Sequence, residues 1–208
     1  MVQSLKFAKD SAQILEMRAQ DKRAEKIYRL VAKRLSESDD SRVREAASQF
    51  EEFAKVFALV GQPMPVSGKV LEGGRFDIAQ FKGKVVLVDF WATWCGPCRA
   101  ELPNVKEVYD KYHKRGFEVV GISLDDDAGD LTSFIKEEHL AWPILFEGGD
   151  GATGFDHPMA KRYEVDGIPR AVLLNREGKV VTVSARGDKL GELVGELLGS
   201  TQGVKKAK

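Results

Sequence analysis

The sequence predicts an α/β fold, a central mixed β-sheet flanked by helices, with a helical N-terminal extension. Three observations carry this. The first is Val85–Trp91, VVLVDFW, an apolar and largely β-branched run that suits a strand buried on both faces. The second is the alternation of such runs with helical periodicities downstream of it. The third is the texture of residues 1–60, which contain no glycine, no proline and no strand-like run. The chain has 208 residues, enough for one good core and a small extra element. Hydrophobic residues make up 43 % and charged residues 31 %, as in a globular protein.

In chain order, Ile27, Leu30, Val31 and Leu35 fall at helical spacing. Ser36–Ser41 is a polar break rich in N-cap residues. Val43, Ala46, Ala47, Phe50, Phe53, Ala54, Phe57 and Val60 then form one apolar stripe, and Gly61, Pro63 and Pro65 stop the helix. Residues 1–60 therefore read as a helical hairpin extension. Its apolar face must be covered, either by the rest of the chain or by a second copy. Val66–Asp77 holds two short strands around Glu72–Arg75, a hairpin turn signal. The central strand follows. A helix should run from the residues after Trp94 to about His113, with Leu102, Val105, Val108, Tyr109 and Tyr112 buried and a kink expected at Pro103. Phe117–Leu124 reads as a strand, Leu131–His139 as a helix and Trp142–Phe146 as a short strand. Glu147–Asp156 is a glycine-rich loop without a phosphate-loop ending. Pro158–Tyr163 fits a short helix. Ala171–Asn175 and Lys179–Ser184 make a hairpin, and Leu190–Leu198 a closing helix. The expected division is 1–60, the extension; 61–199, the α/β domain; and 200–208, a disordered tail.

The chemistry centres on Cys95-Gly96-Pro97-Cys98, directly after the central strand. Pro97 suits a first helical turn. Cys95 then sits at a helix N-terminus, where free N–H groups and the helix dipole favour thiolate over thiol. Cys98 lies one turn on, close enough to close a ring with it. These are the chain's only two cysteines, so no other disulfide can form within it. Zinc would want four ligands, and no second C-x-x-C or H-x₃₋₅-H is present.

The string VDFWATWCGPC resembles the active site of the thioredoxin superfamily. The following Arg99–Pro103, with the lead-in FKGKVVLVDFW, is similar to the TlpA/ResA-like branch of thiol–disulfide oxidoreductases. The resemblance implies a thioredoxin fold over about Gly61–Leu198. It also implies an enzyme that reduces protein disulfides through a reversible Cys95–Cys98 pair and needs no other cofactor. Cys95 is then the nucleophile, because it precedes the helix and is expected to be the more exposed, and Cys98 is the resolving thiol. Asp89, an acid within the apolar strand, matches the thioredoxin proton relay; its burial should raise its pKa. Against this stands an edge position pointing to water. Glu101, on the same helical face as Cys98, is a second proton acceptor or a solvated surface glutamate. Gly167-Ile168-Pro169 matches the family's cis-proline loop, in which the backbone of Ile168 pairs with substrate. Trp94, Gly96 and Pro97 complete the expected contact surface. Two departures matter. Gly121 stands where thioredoxins often carry a lysine near the buried acid, leaving Asp89 without a cationic neighbour. Arg170 replaces a threonine after the proline, facing the thiolate or pointing away.

Thirty-two basic and thirty-two acidic residues cancel, so no global field attracts nucleic acid. No apolar run is long enough to span a membrane. The first residues lack the pattern of a cleavable signal, so the chain acts in the cytoplasm or a leader or anchor precedes it. The family resemblance favours an extracytoplasmic setting, the periplasm or outer membrane face, with cytochrome c maturation as one example of a role. Expected partners are protein thiol or disulfide substrates and an electron-donor redox protein, with the chain a monomer or a dimer through its N-terminal helices. The Asp125–Asp127 run reads as a solvated turn or N-cap rather than a metal site. The rival class is a copper or zinc carrier, or a scaffold led by the hairpin, with His139 and His157 as conceivable copper ligands beside the cysteines.

Overall fold

The computed structural model of the chain describes residues 20–148 and 152–199. Val85–Trp91 forms β3 at the centre of a five-stranded sheet of order β5-β4-β3-β6-β7. Here β4 is Phe117–Ser123, β5 Ile144–Leu145, β6 Arg170–Leu174 and β7 Val180–Thr182. β4 and β5 run parallel to β3, whereas β6 is antiparallel to β3 and β7 to β6, so the sheet is mixed. Every residue of β3 is buried except Asp89, which is half-buried. Ser67–Lys69 (β1) and Arg75–Asp77 (β2) form a separate antiparallel ribbon. Its turn passes through Gly73 and Gly74 at φ +105° and +82°, the left-handed region that favours glycine.

β5 is shorter than the expected Trp142–Phe146. Pro143 has no N–H to give, and Phe146 has left the sheet, donating its N–H to Lys69 O at 3.0 Å. The β1–β2 ribbon thus covers this edge, with Leu71 N donating to Ile144 O at 2.9 Å.

Helix α3, Gly96–Tyr112, continues through Pro103 and lies against α6, Asp188–Leu197. The approach is close: a Cβ at Gly195 would fall 2.9 Å from Tyr112 Oη. Asp127 caps α4, Ala128–Glu138, accepting from Asp130 N. The short α5, Pro158–Arg162, is capped by His157, whose Nδ1 accepts from Met159 N at 3.1 Å.

The extension contains α1, Asp21–Ser36, and α2, Ser41–Phe57; the hairpin expected over 1–60 also includes residues 1–19, which lie outside the described residues. Asp40 caps α2, accepting from Arg42 N at 2.9 Å. Their seam joins Ala24, Tyr28, Ala32 and Leu35 to Val43, Ala47, Phe50, Ala54 and Phe57. Tyr28 stacks on Phe57 and tilts against Phe50. This corrects the stripe expected for α1. Leu30 is 58 % exposed, and two alanines take the seam because small side chains let the helices approach around one tyrosine.

The hairpin is anchored at β7. Val180 pairs with Val60; Gly61 N donates to Val180 O at 2.8 Å and Val180 N to Gln62 O at 2.9 Å. Val183 N donates to Asp21 Oδ2 at 3.0 Å in a buried bond. Hairpin and sheet share one continuous set of buried apolar residues. Among the described residues no helix is long and apolar enough to cross a membrane. The tail 200–208 lies outside the described residues.

Candidate active site

The site is built on the turn from β3 into α3. Ala92–Trp94 is held through Thr93 by Asp125, a residue of the run that the sequence predicts as a solvated turn or N-cap. Asp125 is buried, and its carboxylate accepts from Thr93 N (3.0 Å), Thr93 Oγ1 (2.5 Å) and Ser123 Oγ (2.8 Å). Asp127 behaves as the expected cap, but Asp125 does not face water. Its strand-end position directly after the apolar FEVVGISL was the available signal.

Cys95 is the N-cap of α3, and its Sγ accepts from Cys98 N at 3.2 Å. Cys95 and Cys98 are joined in a disulfide, with Cα atoms 5.2 Å apart. Cys95 is not the more exposed of the two: exposures are 5 % for Cys95 and 7 % for Cys98. Capping turns the Cys95 sulfur back over the first helical turn, and the ring closes on it. The surface around the pair is instead Trp94, 57 % exposed, with Gly96 and Pro97. Trp91 is buried and tilts against Phe134 of α4.

The Ile168–Pro169 peptide bond is cis, and both residues are half-buried. Pro169 and Pro97 line a common cleft of about 550 Å³ with Glu101, Ser184, Arg186, Gly187, Asp188, Lys189 and Glu192. The cysteine helix and the cis-proline loop therefore open onto one space. Arg170, half-buried, begins β6 opposite Phe90.

Asp89 keeps some contact with solvent but is surrounded by the domain interior. Burial pushes its carboxyl up to about 7, with the Glu101 charge adding to the rise and the Arg186 charge opposing it. The expectation that it has no cationic neighbour is thus incorrect. Gly121 is its partner across β3 and β4. A Cβ there would lie 2.6 Å from Ile144 Cδ1 and 2.9 Å from Trp91 Nε1, which leaves no room for a lysine. Glu101 is not a free surface group. Its Oε1 accepts from Gly187 N at 2.7 Å and Asn104 Nδ2 at 2.6 Å, and Asn104 Nδ2 also reaches Gly187 O at 3.1 Å.

A cluster of three or more His, Cys, Asp or Glu side chains able to hold a metal ion is absent among the described residues. His157 is buried and spends Nδ1 on its cap, and burial holds its pKa below the usual histidine range. His139 ends α4 in the left-handed conformation.

The Redoxin family model matches residues 59–195, which span β1 through most of α6. The chain belongs to the Redoxin family. Within it, the TlpA/ResA-like branch is marked by its relatives. The thiol-disulfide oxidoreductase ResA of Bacillus thuringiensis subsp. konkukian is 32 % identical over 128 residues, 62 % of this chain and 69 % of that protein. ResA of Bacillus subtilis (strain 168) is 31 % identical over 53 % of this chain and 58 % of its own length. A crystal structure of the thioredoxin domain of a thiol-disulfide oxidoreductase from Bacteroides vulgatus superposes with a TM-score of 0.60 at 30 % identity, covering 67 % of this chain and 97 % of that one. A solution structure of a thiol:disulfide interchange protein from Bacteroides sp. gives 0.60 at 30 % identity, over 70 % and 95 %. The redoxin has a thioredoxin fold and, with its closed Cys95–Cys98 pair, is a thiol–disulfide oxidoreductase.

Proposed function

We propose that this redoxin reduces disulfides of protein substrates, with Cys95 as nucleophile, Cys98 as resolving thiol and Asp89 as proton acceptor. In the reduced protein the Cys95 thiolate attacks one sulfur of a substrate disulfide, and the first substrate thiolate leaves. Cys98 then gives its proton to Asp89 and attacks Cys95 Sγ, releasing the second thiolate. Two electrons pass to the substrate, and the enzyme ends with its internal disulfide. An electron-donor redox protein resets the pair, with no other cofactor. The observation that carries this reading is the Cys98 N–H directed at the Cys95 sulfur at 3.2 Å, on a helix N-terminus. In the reduced state those features stabilise negative charge on Cys95. Trp94, Gly96, Pro97 and the cis Ile168–Pro169 loop form the surface on which an extended substrate segment lies, with the Ile168 backbone as its pairing partner. Residues 61–199 carry this chemistry, and α1 and α2 before them serve as a docked extension.

We place the protein outside the cytoplasm, with maturation of c-type cytochromes as a substrate pathway, on its sequence resemblance to the TlpA/ResA-like branch. The test is trapping. Cys98→Ala should stall as a mixed disulfide through Cys95, and iodoacetamide at pH 6 should label Cys95 of the reduced protein far faster than Cys98. Equal or reversed labelling would remove Cys95 from the nucleophile role.

A further inference from the structure

We propose that Arg186 is a positioning residue for this exchange, the cation that faces Asp89 and lets it take up and release the Cys98 proton, held in place by Glu101. The inference rests on Asp89 being the proton acceptor. Its basis is a path across the sheet. Asp89 on β3 pairs with Ala171 on β6, and Ala185 N donates to Ala171 O at 2.9 Å, placing Arg186 at the next position. From the other side, Glu101 on α3 accepts the Gly187 N–H, with Asn104 bridging the two. The bond ties the cysteine helix to the residue immediately after Arg186. Gly187 sits at φ +57°, ψ −150°, a conformation that other residues rarely adopt, so the turn is specified locally as well.

The remaining charges around Asp89 leave Arg186 the position to itself. β4 presents Gly121 and β6 presents Ala171, neither with a charged group. Arg170 lies one position further on, opposite Phe90. From α3 comes Glu101, whose carboxylate is engaged by Gly187 and Asn104. In the cleft beyond, Lys189 is bonded to Glu192, and Asp188 is exposed. Among the described residues the Arg186 guanidinium has no hydrogen-bond or ion-pair partner of its own. One engaged anion and one uncommitted cation therefore act on the acid with opposite sign. Either alone would displace its titration from neutrality, Glu101 upward and Arg186 downward.

The test uses the full chain. The Asp89 carboxyl is followed by ¹³C NMR from pH 5 to 9, and single-turnover reduction of insulin disulfides over the same range. Arg186→Gln should move the Asp89 midpoint to higher pH and carry the rate inflection with it. A rise of one pH unit from a midpoint near 7 cuts the ionised fraction at pH 7 about five-fold. Arg186→Lys should restore the wild-type midpoint, and Arg186→Met offers a second neutral side chain if glutamine disturbs the fold. Glu101→Gln keeps an acceptor for Gly187 but loses the charge, and should move the midpoint the opposite way. If Asp89→Asn abolishes the inflection but the neutral Arg186 variants leave it in place, the role given to Arg186 is wrong and Asp89 remains the acceptor. If Asp89→Asn itself leaves the profile unchanged, both readings fall.

Discussion

Replacing Asp89 by asparagine should stabilise the oxidised protein in a pH-dependent way. The unfolded carboxyl titrates near its ordinary value of 3.8, and the folded one near 7. Below pH 4 both states hold the proton and there is no penalty. Between these values the native state holds a proton that the unfolded state has lost, so folding stability falls as pH rises. Above pH 7 the charge sits in the folded interior at full cost. A span of about 3 pH units at ~1.36 kcal/mol each gives roughly 4 kcal/mol. Solvent contact of the half-buried side chain screens part of this, so we expect about 2–4 kcal/mol. Asparagine keeps the shape and cannot ionise. Urea unfolding at pH 4, 6 and 8.5 should show the stability difference, variant minus wild type, growing by that amount from the lowest to the highest pH, with unchanged m-values. A difference constant with pH would refute the assignment of a raised titration to this residue.

Three further outcomes follow from the packing. Asp125→Ala strands the Thr93 N–H and two hydroxyls, and should cost about 2–4 kcal/mol in denaturant unfolding while slowing exchange by loosening the Cys95 turn. Asp21→Ala removes a buried acceptor from Val183 N and should cost about 1–3 kcal/mol, with exchange rates preserved because neither residue lines the cleft beside the cysteines. Trp94→Ala should leave stability within about 0.5 kcal/mol, as for exposed positions generally. It should slow reduction of insulin by several-fold yet leave reaction with a small disulfide such as DTNB unchanged; equal slowing of both would show that Trp94 acts on the thiols and not on the substrate protein.

The parts legible in the sequence were those fixed by short-range rules. β3 needed only its run of apolar residues, and Pro97 placed Cys95 at the helix start. The cis bond at Pro169 followed from the resemblance of its loop. Other features depended on pairs far apart in the chain. Asp125 looks like one of three acids in a turn until Thr93, thirty-two residues earlier, is seen to need an acceptor. Glu101 reads equally as a proton acceptor or a solvated glutamate until Gly187 arrives beside it. Leu30 scores as apolar in any periodicity, but the geometry of two close helices selected Ala24, Tyr28 and Ala32. The burial of Cys95 is not legible, because proximity to a helix end fixes the electrostatics of a sulfur and not its accessibility.

The bond between Asp21 and Val183 closes a loop of 162 residues. On a ribosome the two helices emerge well before the strand on which they land. Until then their aromatic seam of Tyr28, Phe50 and Phe57 has to hold them together unaided. Bringing ends so distant into register is entropically slow, so docking of the hairpin belongs late in folding, after the sheet exists to receive it. The open flank of β7 is meanwhile available to other chains, and the hairpin that later covers it acts as a built-in guard against strand-to-strand aggregation.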